Sequence, residues 1–220
     1  MKKIFTVLFL TILVLSCACL TGCSKDSYEA DIILGTYKQS SNGKVAAIEW
    51  DILKIEDGKA LIISHYILDV KDFTESATSS YAESDIRKWL NEDFYNTAFT
   101  AEEKAKILTT LVDNSVESTG ESVNKHACDD TEDKIFLLSV KEANAYFTDE
   151  TRLAKCSDYA KKQGLYVSPK TKCSWWWLRS PYNNNNLYRR GVNETEGKIG
   201  NFSIDAQVGV RPACWIVYEG

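Results

Sequence analysis

The chain of 220 residues has few of the residues from which catalytic and metal sites are built. It contains two histidines, His65 and His126, and neither lies in a metal-ligand or nucleophile motif. No Cys-x-x-Cys pair is present, which excludes a zinc knuckle and a thioredoxin-type site. A glycine-rich phosphate loop and an EF-hand are absent as well. His126 and Cys128 could form a nucleophile pair, but neighbours in sequence are usually adjacent by accident, so we predict no catalytic residue, metal or cofactor.

Positive charge is also scarce. Lys and Arg number 26 against 31 Asp and Glu, which gives a formal net charge of −5. Nucleic-acid binding needs a basic face, and adhesion to anionic lipid needs a basic cluster. The charge balance therefore excludes a nucleic-acid partner and any purely electrostatic attachment to a membrane.

A long apolar run is missing too, and the one short run lies at the N-terminus. Lys2 and Lys3 precede apolar residues 4–15, which is too short for a spanning helix but typical of a secretory signal. The Leu20-Thr21-Gly22-Cys23 ending resembles the lipobox of bacterial lipoproteins. That resemblance implies that residues 1–22 are removed and Cys23 is lipidated. The polar segment that follows predicts a tether over residues 23–30, and the remaining length predicts a single α+β domain over 31–220. We expect a protein anchored by lipid to the outer face of the cell membrane.

Cysteine is sparse in the expected domain. Of seven in the chain, two leave with the signal and one is lipidated. The nearest remaining pair, Cys156 and Cys173, would close a short loop, and we favour a disulfide between them. A second disulfide between Cys128 and Cys214 is an alternative, as are four buried free thiols.

Hydrophobic periodicity predicts strands at both ends of the domain and helices in the middle. Residues 32–37, 45–55 and 59–64 read as strands, with a hairpin turn at Asp57-Gly58. Helices are expected to begin at Ser84 and, with capping boxes, at Thr100 and Ser139. Residues 151–163 are expected to form a further helix or a pair of turns, and residues 135–138 a short strand. Strands return at 174–179, 187–193, 198–204 and 208–217. This order predicts an α+β fold with a mixed, mostly antiparallel sheet that pairs the two ends, and helices packed around it.

Six separated stretches together resemble an uncharacterised family of bacterial extracytoplasmic domains, known only as a domain of unknown function. The resemblance covers residues 31–218. The stretches are residues 48–50, 60–64, 86–91 and 131–139, the Trp176-Trp177-Leu178-Arg179-Ser180-Pro181 motif, and the Gly209-Val210-Arg211-Pro212-Ala213 motif.

A second resemblance concerns the last quarter of the chain. Its aromatic strand, polar loop, glycine-containing hairpin and closing Gly209-Val210-Arg211 are similar to the end of formylglycine-generating-enzyme-like domains, which have the C-type lectin-like fold. This implies a C-type lectin-like arrangement with a ligand-presenting loop region. The spacing of Cys173 and Cys214 does not match the reactive cysteines of that enzyme, so the resemblance does not imply its activity.

The polar loop after the aromatic strand is the predicted ligand site. Its rings and amides are suited to ligand recognition. The tyrosine ring is rigid and amphipathic, and the asparagine side chain both donates and accepts hydrogen bonds. The predicted ligand-binding residues are Tyr182, Asn183, Asn184, Asn185, Asn186, Tyr188 and Arg190, with Trp175 and Trp177. We therefore predict a surface binding module for a glycan, peptide or protein. The alternative is a structural or assembly lipoprotein that contacts another envelope protein and binds no small ligand.

The aromatic strand itself must be partly core. Strand alternation points Trp175 and Trp177 to one face and Trp176 to the other, so at least one face is expected to be buried. Arg179 and Arg211 follow apolar stretches, where a charge needs a partner. We predict structural ion pairs for these arginines with Glu49, Glu83 or Asp133.

Overall fold

The computed structural model describes residues 30–75 and 80–219. The predicted signal sequence, Cys23 and the tether as far as residue 29 lie outside the described residues. Within the described ranges, no helix has the length and apolarity needed to cross a membrane. The fold is α+β, as predicted, with mostly antiparallel sheets and short helices.

The first sheet contains four strands in the order β1-β2-β3-β11. They are β1 (Ile32–Lys38), β2 (Val45–Glu56), β3 (Lys59–Ser64) and β11 (Ala213–Val217). The β2–β3 hairpin turns at Asp57 and Gly58, whose φ angles are 49° and 73°. Both ends of the domain therefore share a sheet, as predicted, but β1 and β11 occupy opposite edges and do not pair with one another.

The second sheet has five strands in the order β4-β10-β7-β8-β9. They are β4 (Asp69–Lys71), β7 (Trp176–Pro181), β8 (Tyr188–Val192), β9 (Ile199–Ser203) and β10 (Val208–Val210). Strand β10 runs parallel to β7, and the other pairs are antiparallel. A third, two-stranded sheet joins β5 (Thr110–Val112) to β6 (Thr131–Asp133).

The helices are short and lie between β4 and β7. They are α1 (Asp85–Trp89), a π-helical turn (Leu90–Phe94), α2 (Tyr95–Ala98), α3 (Ala101–Lys104), a 3₁₀ turn (Glu117–Thr119), α4 (Val140–Tyr146), α5 (Asp149–Arg152) and α6 (Asp158–Lys162). The capping boxes predicted at Thr100 and Ser139 are confirmed. Ser84 caps α1, and the spacing that follows buries Ile86 and Leu90.

Two predicted strands were wrong, and one open alternative is decided. Residues 208–217 are two strands, because Pro212 has no N–H and the chain passes between sheets at that point. Residues 151–163 form two short helical segments rather than the alternative single helix, since the intervening chain extends and Ala154 pairs with Ser174. Residues 135–138 form no strand, although they are buried and Phe136 bridges to Ala213.

Two apolar clusters fill the interior, and β7 separates them. Trp177 belongs to one cluster with Phe73 and Trp50, while Trp176 belongs to the other with Phe136. Since successive side chains on a strand point to opposite faces, the central strand of the second sheet is buried on both sides. All six residues of β7 are buried.

Candidate functional site

The predicted ligand loop connects β7 to β8 and is folded by its own hydrogen bonds. The Tyr182 N–H donates to the Tyr188 carbonyl (3.2 Å), and the Tyr188 N–H donates to the Asn185 carbonyl (3.2 Å). The Asn185 side-chain oxygen accepts from the Leu187 N–H at 2.9 Å. This internal bonding leaves the side chains of residues 184–188 exposed.

A second loop, residues 113–130, supports the first one. The Asn183 amide donates to the Val123 carbonyl at 2.8 Å, and the Asn124 amide donates to the Pro181 carbonyl at 3.1 Å. Arg190 forms an ion pair with Glu121 across the same junction. Side chains from both loops thus fix the position of the β7–β8 loop.

Tyrosine and arginine side chains flank the exposed asparagines. The rings of Tyr182 and Tyr188 meet edge to face with centroids 6.4 Å apart. The Arg190 guanidinium lies 4.9 Å from the centre of the Tyr182 ring and donates to the Asn201 amide oxygen at 2.8 Å. The Asn184 amide donates to the Tyr182 hydroxyl at 3.1 Å. The structure thus brings four of the predicted residues into one surface cluster.

The two predicted tryptophans are not part of this cluster. Trp177 is fully buried, its indole N–H donates to the Lys71 carbonyl at 2.8 Å, and its ring packs against Phe73. The expectation that Trp177 contacts a ligand is wrong for this reason. Trp175 is half-buried at the start of β7, whereas the loop follows its end, and six strand residues span roughly 20 Å. Trp175 packs against Tyr166 and does not reach the loop.

One charged residue beneath the loop was not predicted. Arg189 is fully buried, and its guanidinium lies 5.0 Å from the centre of the Phe73 ring. Its Nη1 donates to the Tyr188 carbonyl at 2.9 Å, whereas Nε and Nη2 have no hydrogen-bond partner. Burial lowers the pKa of Arg189 to about 10, which still leaves it charged at neutral pH. Strand alternation could have revealed it, because consecutive residues Arg189 and Arg190 cannot both face solvent.

The comparison with family models covers most of the described chain. Residues 57–218 match the model described as a domain of unknown function (DUF6273). The chain belongs to this family. No curated protein and no solved structure matches it.

The matched segment begins in the turn between β2 and β3. Strands β1 and β2 therefore precede the DUF6273 match, although residues 50–56 of β2 pair with the whole of β3. Trp50 and Ile48 of β2 are fully buried in the first cluster. The sheet of this DUF6273 protein thus includes two strands outside the family match.

Two buried arginines within the segment matched by DUF6273 have structural contacts. Arg211 donates from Nε to the Ser64 carbonyl at 2.7 Å and pairs with Asp51 at 3.0 Å, while its guanidinium lies 5.3 Å from the centre of the Trp176 ring. The same Asp51 carboxylate lies 2.6 Å from Nδ1 of His65. Arg211 is 3% exposed, so this is an interior contact. Its predicted partners were wrong, since the acid that binds it is Asp51, two residues along β2 from the predicted Glu49.

Arg179 is held in the same way at the end of β7. It pairs with Glu142 at 2.5 Å and donates to the carbonyls of Leu137 (2.7 Å) and Asp113 (2.9 Å). The acids predicted for Arg179 were also wrong, and Glu142 is the residue that completes the Ser139 capping box. Arg179 thereby ties α4 and the 113–130 loop to β7.

Two surface clefts lie elsewhere, and residues of β1 or β2, outside the DUF6273 match, border both of them. One of about 330 Å³ is bordered by Glu49, Tyr66 and Cys156. The other, about 360 Å³, has the Tyr37 and Trp89 rings in its wall. Neither cleft is lined by a predicted ligand residue.

Thiol and metal chemistry has little support in the described residues. The cysteines Cys128, Cys156, Cys173 and Cys214 are free thiols there, so the Cys156–Cys173 disulfide is not formed in this structure and stays a prediction. Burial raises the pKa of the Cys156, Cys173 and Cys214 thiols, which disfavours the reactive thiolate. The described part of the chain contains no group of three or more His, Cys, Asp or Glu side chains placed to hold a metal.

Proposed function

We propose that this protein is a binding module held by a lipid on the outer face of the cell membrane. In this proposal the β7–β8 loop presents its asparagines and tyrosines to a glycan, a peptide or a protein. The observation that carries it is a polar and aromatic loop with exposed side chains and an anchored backbone. Such pre-organisation reduces the entropy lost when a ligand binds.

The lipid anchor rests on the sequence. Residues 20–23 supply the lipobox-like ending, and Cys23 would carry the acyl chains. Two or more chains hold a protein on a bilayer durably, whereas one does not. The tether, residues 23–30, would then give the domain reach above the membrane surface.

The loop chemistry fits a hydroxyl-rich or amide-rich ligand. The side chains of Asn184, Asn185 and Asn186 can both donate and accept hydrogen bonds. One Asn184 N–H is already bonded to the Tyr182 hydroxyl, and the Asn185 oxygen already accepts one bond from the Leu187 N–H. Tyr188 is 37% exposed and gives a ring on which an apolar sugar face or a side chain can stack. A C-type lectin-like relationship belongs to the same proposal, supported by the shared sheet of the two ends and by the position of the loop.

The alternative is an assembly lipoprotein with a protein partner in the envelope and no small ligand. Two exposed apolar side chains favour it, Val123 at 68% and Leu187 at 45% exposure. They belong to the two loops joined by the Asn183–Val123 hydrogen bond. Paired apolar exposure of this kind is typical of protein contact surfaces.

The test is a thermal-shift and pull-down screen of the chain Ser24–Gly220 against glycans, peptidoglycan fragments and calcium. A variant with Asn183–Asn186 replaced by Gly-Ser is measured in parallel. A control variant carries the same change at Ser41 and Asn42, in the exposed turn between β1 and β2. A ligand-induced shift that disappears only in the first variant supports the proposal. If no ligand shifts the unfolding temperature, or if the loop variant shows the same shift as the unmodified chain, the result favours the protein-partner alternative.

A further inference from the structure

Arg189 presents an unused hydrogen-bonding edge beneath the loop. Its Nη1 is bound to the Tyr188 carbonyl and more weakly, at 3.5 Å, to that of Asn186. Nε and Nη2 are buried and have no partner. These two nitrogens lie on the same side of the guanidinium, so their N–H bonds point in one direction. A pair of parallel donors is the arrangement that binds the two oxygens of a carboxylate or a phosphate.

The charge of Arg189 is uncompensated among the described residues. Three other buried arginines have acidic partners, Asp149 for Arg152, Glu142 for Arg179 and Asp51 for Arg211. No ion pair includes Arg189, although it is the least exposed of the four. A buried cation without a counter-ion is energetically unfavourable. An anion that reached Arg189 would therefore bind with a more favourable electrostatic energy than an anion beside an exposed arginine.

His126 places a second unused group near Arg189. Its Nε2 is buried without a partner, and the Arg189 charge acts on its imidazole. Burial first, and then the charges of Lys125 and Arg189, lower the pKa of His126, so the ring is neutral at pH 7. A neutral imidazole protonated on Nε2 donates a hydrogen bond. His126 belongs to the 113–130 loop and Arg189 to β8, so unused nitrogens come from both sides of the junction.

We infer that the ligand of this loop carries a carboxylate, which binds to Nε and Nη2 of Arg189. The inference rests on the proposed function, since it takes the β7–β8 loop as the ligand-facing surface. Arg189 is fully covered, so the ligand must displace the exposed tip of the loop near Asn186, while the anchors at Pro181 and Asn183 hold its base. The 3.5 Å contact between Arg189 and the Asn186 carbonyl is the weaker of the two that Nη1 makes. The carboxylate could belong to an acidic sugar or to a free peptide C-terminus.

The test compares matched probes on the full-length protein in detergent by isothermal titration calorimetry. The pairs are glucuronate against glucose, and acetyl-trialanine with a free against an amidated C-terminus, with inorganic phosphate as a separate arm. At least one carboxylate probe should bind, and its neutral partner should not. Arg189→Met should weaken that binding by about 10- to 100-fold, the range for a lost charge-assisted hydrogen-bond pair. Lys141→Met, which removes an exposed charge paired with Glu117, should leave it unchanged.

A measurement on the unmodified protein covers the case in which Arg189→Met fails to fold. Adding the carboxylate probe should shift the imidazole NMR signals of His126 and leave those of His65 in place. Equal binding of neutral and acidic probes, no binding of any probe, or an unchanged His126 signal would each overturn the inference. If phosphate bound and no carboxylate probe did, the ligand would be a phosphorylated one, and the inference would also be overturned. A neutral ligand could instead bind the unmodified protein and the Arg189→Met variant but not the Asn183–Asn186 variant. That result would support the proposed function and overturn this inference.

Discussion

At the scale of single residues, tight packing around the second sheet decides which side chains are tolerated. Gly209 in β10 lies where a Cβ atom would be 2.5 Å from Cγ2 of Ile67 and 2.7 Å from the Trp175 carbonyl oxygen. The backbone oxygen cannot rotate away as a side chain can. The glycine of the Gly209-Val210-Arg211 motif is therefore required by close approach of the backbone.

Gly209→Ala should destabilise the domain by about 1–3 kcal/mol, the usual cost of an overpacked core position. Gly200→Ala in β9 is the matched control, because its Cβ would meet only a Phe202 atom at 4.0 Å. Urea denaturation of both variants measures the difference. Equal stabilities of the two variants would show that β10 can move to accept a methyl group.

At the scale of elements, short helices are fixed by side chains at their ends. Glu103 of α3 accepts from the Thr100 N–H at 2.9 Å and from the Gly35 N–H of β1 at 2.8 Å. One carboxylate thus closes the capping box and holds α3 against an edge strand. A helix of four residues has little stability of its own, so such contacts determine where it forms.

The Glu103 contacts should make part of the stability dependent on pH. The Thr100 hydrogen bond, and then that from Gly35, lower the pKa of Glu103 below 4.5 against the opposing effect of burial. A lowered folded-state pKa means that the stabilisation is present above pH 4.5 and is lost as pH falls through the folded value. Glu103→Ala should therefore cost about 1–2 kcal/mol at pH 7 and progressively less below pH 4. Unfolding of both proteins in urea from pH 7 to pH 3 measures this, and a constant difference would contradict it.

At the scale of the whole molecule, the first sheet joins distant parts of the chain. Strand β3 pairs with β2 on one side and with β11, about 150 residues later in the sequence, on the other. The family match begins at residue 57 and therefore divides this sheet. Removing β1 and β2 would expose the buried face of β3, where Ile62 has no accessible surface.

A chain that starts at Asp57 should consequently fail to unfold cooperatively, whereas residues 31–220 should do so. The lost strands carry the buried side chains of Leu34, Ile48 and Trp50. Circular dichroism during heating distinguishes the two chains. A sharp transition in the shorter chain would mean that the family segment is a complete folding unit.

Much of the local structure could be predicted because local physics determines it. The Asp57-Gly58 turn, the capping boxes at Thr100 and Ser139 and the α+β class follow from residues close together in sequence. The long strand predicted for 208–217 failed because only the meeting of two sheets shows that Pro212 separates them. For residues 151–163 the sequence left a single helix and a pair of turns open, and the pairing of Ala154 with Ser174 divides the segment in two.

The candidate site likewise has features that the sequence predicts and features that only the tertiary structure shows. The sequence by itself determined a polar, aromatic loop after an apolar strand and a lipobox-like N-terminus, since both are contiguous patterns. Only the tertiary structure decided that Trp177 is core, that Asp51 and Glu142 pair with Arg211 and Arg179, and that Arg189 is buried without a counter-ion. Burial and charge pairing depend on which distant segments pack together, and the order of residues along the chain does not specify that contact.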